Sequence, residues 1–430
     1  MSIVNDTFAS RFGCAYIEDG GVTSAKGFSA AGVHAGFRKD PGRLDMALVV
    51  ADEPCACAAV FTQNIFCAAP VQVSKEHLSE GGAGGPAYGT ARAVVINSGC
   101  ANAATGEPGR ENARKMASIT ADAVGCTQQE VVVASTGVIG VHLPIEPLVA
   151  GAPAAMAAAS PQGGANAARA IMTTDTVPKE CAVTFSGDEI GHPGVVFTVG
   201  GMAKGSGMIM PNMATMISVI TTDAPVLPND LHKVLSTAVN MSFNKVTVDS
   251  DTSTNDSCFI FANGKAAPTA EPFEPGTPAF AALQAAVNQV CVSLARLMAT
   301  DGEGATKLVT VSVKGAANDA EADLAARAVA NSPLVKTAIF GHDANWGRIA
   351  GALGRSGAHF EQENVSIDIM GMPVCRDGLT VGFDEDEALR RFEDPEIALD
   401  IDLGAGDAET IIWTCDFSHD YVSINGDYRS

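Results

Sequence analysis

Seven short runs of aliphatic and β-branched residues recur along this 430-residue chain, separated by glycine-rich turns. They are LDMALVVA (44–51), ARAVVINSG (91–99), EVVVASTGVIG (130–140), VVFTVGG (195–201), MISVITTDA (216–224), CFIFANG (258–264) and KLVTVSVKG (307–315). Their length and β-branched content predict buried strands. Between them the apolar spacing turns helical, over 109–126, 164–172, 228–243, 279–300 and 320–340. The alternation is irregular, and no Rossmann glycine fingerprint opens any helix. The expected fold is therefore a layered α/β sandwich and not a doubly wound sheet. The length admits two or three domains, or one large core with a smaller layer. Pro/Gly-rich stretches at 79–90 and 267–279 predict exposed loops.

Charge excludes several function classes. With 27 basic and 49 acidic residues the formal net charge is −22. A chain so acidic has no electrostatic attraction for nucleic acid or an anionic membrane. The eleven cysteines are scattered, odd in number and without a CxxC pair. They predict reduced, mostly buried thiols and a cytoplasmic setting. The first twenty residues lack the basic region and apolar core of a secretory signal, being interrupted by Asp6, Arg11 and Glu18. The stretch KGSGMIMPNMATMISVITTDA (204–224) has no charge between Lys204 and Asp223. Its glycines, Pro211, Asn212 and threonines leave it too polar and too kinked for a membrane span. A buried seam within a soluble protein is expected.

The usual catalytic signatures are missing. The eight histidines are dispersed, with no HxxxH pair and no Cys/His cluster, so no protein-bound metal is expected. DSDTSTND (249–256) resembles a calcium loop only faintly, with Thr254 at the sixth position and Ile260 at the twelfth. GALGRSG (351–357) lacks the P-loop lysine, and no G-x-S-x-G elbow exists. What remains is a series of dense small-polar motifs in apolar surroundings. They are NSGCANAATG (97–106), STGVIGVHLP (135–144), MTTDTVPK (172–179), KGSGMIMPNMATM (204–216), FNKVTVDSDTSTND (243–256), DGEGATK (301–307), FGHDANWGR (340–348) and YVSINGDYRS (421–430). Any one of them alone reads equally well as a turn or a cap.

Together this set resembles the ornithine acetyltransferase (glutamate N-acetyltransferase, ArgJ) family of arginine biosynthesis, over nearly the whole chain. The most specific part is KGSGMIMPNMATM with the following TTDA. VDSDTSTND and DANWGRI match almost as closely. The resemblance implies a precursor that cuts itself between Ala214 and Thr215, giving an α chain (1–214) and a β chain (215–430). It implies the self-cleaving threonine-nucleophile type of α/β sandwich.

In that reading Thr215 is the nucleophile. Cleavage frees its α-amine, whose reference pKa of about 7.7–8.0 lets it serve as base for the hydroxyl beside it. The resemblance gives the oxyanion hole to Thr136 and the Gly137 N–H. It places substrate contacts on Thr173 or Thr174, Lys204, Thr215, Glu303, Asn425 and Ser430. Lys204 suits an α-carboxylate and Glu303 an ornithine ammonium. The implied reaction is ping-pong transfer of acetyl from N-acetylornithine to glutamate. No cofactor is implied; acetyl-CoA as a second donor is left open. Paired fragments, α2β2 or larger, are implied by the resemblance alone. Ser250 departs from the family's VDGD glycine, and the CAC pair at 55–57 fills positions that are ordinarily unreactive. Two other readings stay open, a self-cleaving aminopeptidase or amidase and an uncleaved, non-catalytic binding protein.

Overall fold

The computed structural model describes residues 14–210 and 216–427. The expected cleavage pair Ala214–Thr215 and the terminal Ser430 lie outside the described residues.

Strands β1 (Ala15–Tyr16), β2 (Phe28–Val33), β3 (Met46–Phe61), β4 (Ala87–Cys100), β5 (Val131–Val138), β6 (Lys179–Ser186), β7 (Val196–Lys204), β8 (Ile217–Thr222) and β9 (Ser257–Ala262) form one sheet. Its order is β1-β6-β7-β8-β9-β3-β4-β5, with β2 also paired to β3. Most pairs are antiparallel, but β4 with β5 and β8 with β9 run parallel. The central strands β8 and β9 are buried along their whole length. Alternation still governs them: Cys258, Ile260 and Ala262 enter one core, Phe259 and Phe261 the core behind the sheet. A strand buried on both faces carries no charge and is rich in β-branched and aromatic residues, which is why these were legible from sequence.

Helices α1 (Ala69–His77), α2 (Gly106–Val124), α3 (Glu146–Ala158) and α4 (Gly164–Ala170) pack against β2, β3 and β5. Helices α5 (Pro228–Met241) and α6 (Pro278–Thr300) pack on each other, α5 also meeting β3 and α6 meeting β6 and β7. Among the described residues α6 alone is long and apolar enough to cross a membrane, but most of it is buried in this core. All eleven cysteines are free thiols, eight of them buried.

A second sheet comprises β10 (Leu308–Ala316), β11 (Ser366–Ile369), β12 (Met372–Arg376), β13 (Leu379–Thr380), β14 (Glu396–Asp402) and β15 (Ala408–Cys415). Helices α7 (Asp319–Ala330), α8 (Pro333–Phe340), α9 (Trp346–Gly354) and α10 (Glu385–Arg391) contribute to its core. Strand β15 joins the layers, with Ile412 in this core and Trp413 in that of the large sheet. The chain ends in α11 (His419–Asp427).

Two expectations are corrected. The helix expected over 320–340 is two helices, α7 and α8. Pro333 has no N–H to continue the ladder, and Ser332 caps the new start by accepting from the Val335 N–H. The loop expected over 79–90 ends early, because β4 already begins at Ala87. Strands before and after position 214/215 belong to the same large sheet. Strand β8 pairs with β7 across it, and β3 pairs with β9.

Candidate active site

One cavity of about 130 Å³ gathers residues that lie far apart in sequence. Thr136, Gly137, Thr173, Thr174, Lys204, Glu303 and Asn425 all line it. A larger cavity of about 770 Å³, between β6 and α6, contains none of the expected site residues.

The wall formed by Thr136 and Gly137 is the end of β5, where it runs parallel to the end of β4. Gly137 has φ +131°, and a Cβ there would lie 2.4 Å from the Gly99 carbonyl carbon. Both backbone conformation and space therefore require glycine. Asn255 fastens this wall to the facing loop, donating to the carbonyls of Ala101 (2.6 Å) and Ser135 (2.8 Å). Its own Oδ1 accepts from the Thr254 hydroxyl at 2.6 Å. Ala101, Ser253, Thr254 and Asn255 line the cavity too.

Lys204 closes the opposite side at the end of β7, almost wholly buried. Burial pushes its ammonium pKa down, while Asp175 pulls it back up. Glu303 is buried as well and accepts from Asn425 Nδ2 at 2.8 Å. Gly207 faces it so closely that a Cβ would lie 2.3 Å from the Glu303 carboxyl carbon. Gly207→Ala is therefore expected to swing the Glu303 carboxylate aside while leaving the fold intact. The melting temperature should change little, and a crystal structure of the variant should show the Glu303 carboxylate displaced from Asn425.

The loop 249–256, read from sequence as a faint calcium loop, holds the chain on both sides of residues 211–215. Asp249 accepts from the N–H groups of Met208 (2.6 Å) and Ile209 (2.8 Å). Asp256 accepts from the Met216 N–H at 2.8 Å. Burial raises both carboxyl pKa values, that of Asp256 well above the usual range. Among the described residues the second Asp256 oxygen has no hydrogen-bond partner. Ser250 sits in this loop at φ +65°, in the left-handed region, which explains why a glycine suits the position. Ser250→Gly should stabilise the protein by about 0.5–1 kcal/mol, the relief of strain less the added freedom of the unfolded chain. Denaturant titration reads this out.

A family model described as the ArgJ family matches residues 29–430. The chain belongs to the ArgJ family. Among its relatives, the arginine biosynthesis bifunctional protein ArgJ of Symbiobacterium thermophilum is 48% identical over 412 residues, covering 96% of this chain and 99% of that one. The protein of the same name from Chlorobaculum tepidum is 46% identical over 405 residues, covering 94% and 96%. A solved chain of the Bacillus halodurans protein is 40% identical, covering 48% of this chain and 97% of that one, with a TM-score of 0.46. A solved ornithine acetyltransferase chain from Mycobacterium tuberculosis, complexed with ornithine, is also 40% identical. It covers 46% of this chain and 98% of that one, with a TM-score of 0.40. ArgJ membership makes the chain an acyltransferase of arginine biosynthesis.

For an ArgJ protein the distribution of residues is informative. Every expected site residue among those described lines the one cavity, Thr173 and Thr174 alike. Thr215 and Ser430 fall outside the description. Sequence reasoning assigned no role to Asn255 or Asp256, although both stand in the quoted DSDTSTND. It also missed Gly207, which was visible only as one more glycine in KGSG.

Proposed function

We propose that this ArgJ protein transfers acetyl from N-acetylornithine to glutamate through an acetyl-Thr215 intermediate, after cutting itself at Ala214–Thr215. The observation that carries the reading is the single cavity shared by Thr136, Gly137, Lys204, Glu303 and Asn425. It offers one cation and one anion for an amino acid, beside two donors for an oxyanion.

In self-cleavage the Thr215 hydroxyl attacks the Ala214 carbonyl carbon, and the C–N bond breaks to leave an ester. That break already frees the Thr215 α-amine, which takes up the hydroxyl proton, and water then hydrolyses the ester to the Ala214 carboxylate and the Thr215 hydroxyl. In transfer that amine takes the hydroxyl proton as the oxygen attacks the acetyl carbonyl. The tetrahedral oxyanion is met by the Thr136 hydroxyl and the Gly137 N–H. The C–N bond then breaks, and ornithine leaves with the proton. The glutamate amine attacks the acetyl ester, the Thr215 oxygen leaves, and N-acetylglutamate departs. Lys204 pairs with the α-carboxylate of either amino acid, and Glu303 pairs with the ornithine side-chain ammonium. Ser430 is placed among the substrate contacts by family resemblance.

The word bifunctional in the relatives' names supports acetyl-CoA as a second donor. An α2β2 assembly in the cytoplasm completes the proposal. The test is one acetyl-transfer assay on purified protein with N-acetylornithine or acetyl-CoA as donor, with and without glutamate. Formation of N-acetylglutamate from N-acetylornithine is expected. Release of acetate at the same rate without glutamate would instead favour an amidase.

A further inference from the structure

Next to Lys204 lies a buried charged cluster, Asp175, Lys179 and Asp301, that does not line the cavity. Asp175 is buried, and its carboxylate accepts from the backbone N–H groups of Thr173 (3.0 Å) and Gly205 (2.7 Å). The same carboxylate takes the Lys179 ammonium at 2.7 Å and stands 3.9 Å from the Lys204 ammonium. Lys179, which is fully buried, reaches on to Asp301 at 2.5 Å. Asp301 in turn accepts from the Thr176 N–H at 3.1 Å. One carboxylate thus touches Thr173 of the cavity wall, the residue following Lys204, and Lys204 itself.

A buried ion network costs desolvation for each charge, so its presence is weak evidence for stability and directs attention to the geometry and protonation it fixes. Lys204 is under strain of this kind. Burial and the neighbouring Lys179 disfavour its charge, whereas Asp175, Asp256 and Glu303 favour it. Of these carboxylates Asp175 is the one held near Lys204 by an ion pair. The net result for Asp175 is clear as well. Burial opposes its ionisation, but Lys204 and Lys179 overcome that and hold its carboxyl well below the usual range.

We propose that Asp175 is a positioning residue for the carboxylate-binding end of the cavity: it aims Lys204, ties Thr173 to the same point, and is itself held by Lys179, which Asp301 grips from the other side. The proposal rests on the reading of Lys204 as the partner of a substrate carboxylate.

Its signature is a pH dependence that a purely structural role does not produce. Without the Asp175 charge the Lys204 pKa falls. The ammonium is then lost as pH rises through the lowered value and restored as pH falls below it. In Asp175→Asn the KM and calorimetric Kd for glutamate should approach those of the unaltered protein at the acid end. Above the new Lys204 pKa they should climb by roughly tenfold per pH unit, whereas the unaltered protein stays flat over the same range. Asp175→Glu should restore the flat profile. In a Lys204→Met background, Asp175→Asn should add no pH dependence. A loss that is equal at every pH, or a pH dependence that persists in the Lys204→Met background, would overturn the assignment. If Asp175→Asn does not fold, Asp301→Asn applies the same test one link away, since Lys179 must then draw on Asp175 alone. A smaller drift of the same pH form is expected there, and a flat profile counts against the network. Should the unaltered protein transfer no acetyl, the reaction is wrong and the glutamate Kd alone decides the role of Asp175. Should it bind no glutamate either, the Lys204 reading falls and this inference with it.

Discussion

Thr215→Ala is expected to leave the purified protein as one polypeptide of 44.0 kDa and to abolish acetyl transfer. Both losses have one cause. The methyl side chain has no oxygen to attack the Ala214 carbonyl, so no ester forms and no new α-amine appears. The same oxygen would later carry the acetyl group, so transfer should drop by about 10⁴-fold or more, as for removal of other catalytic nucleophiles. Electrophoresis and an N-acetylglutamate assay on one preparation read both. The loop that grips both sides of residues 211–215, through Asp249 and Asp256, is untouched by this change. The melting temperature should therefore change little, and a collapsed fold cannot masquerade as a lost nucleophile.

Gly137→Ala is expected to have the second largest effect. An added methyl would sit 2.4 Å from the Gly99 carbonyl carbon and 2.7 Å from the Cys100 nitrogen, backbone atoms that cannot step aside. At φ +131° an L-residue is strained in any case. The end of β5 must then separate from β4, carrying the residue 137 N–H away from its position in the cavity. Loss of one oxyanion donor lowers kcat by about 10²–10³, and self-cleavage should slow by a similar factor because it passes through the same kind of intermediate. Thr136→Ala is the comparison that separates the causes. It removes a hydroxyl and leaves the strand junction intact, so it should lower kcat without lowering the melting temperature, whereas Gly137→Ala should lower both.

Legibility from sequence followed a physical line. Strands β8 and β9 stood out because burial on both faces leaves them without a charge, built of β-branched, aromatic and small residues. Strand β14, EIALDID, escaped notice because only Ile397, Leu399 and Ile401 face a core and charged residues alternate with them. The α7–α8 break turns on Ser332 and Pro333, a pair that can end a helix but does so only where the following chain has another place to pack. In the site, Thr136, Lys204 and Glu303 were reachable because their motifs resemble a family. Asp175 was quoted within TTDT but carried no role, since its importance lies in contacts with Gly205 and with Lys179, itself paired to Asp301, that only the fold creates. Gly207 is of the same kind, a residue defined by the Glu303 carboxylate that faces it.

The central claim is that Thr215 carries the acetyl group. Its most direct test is the intact mass of the purified protein, unfolded after brief incubation with N-acetylornithine and no glutamate. Two fragments, residues 1–214 and 215–430, are expected, the second heavier by one acetyl group that fragmentation places on Thr215. Adding glutamate before unfolding should remove that mass. An uncut chain that still transfers acetyl, or a stable acetyl group on any other residue that glutamate discharges, would contradict the claim.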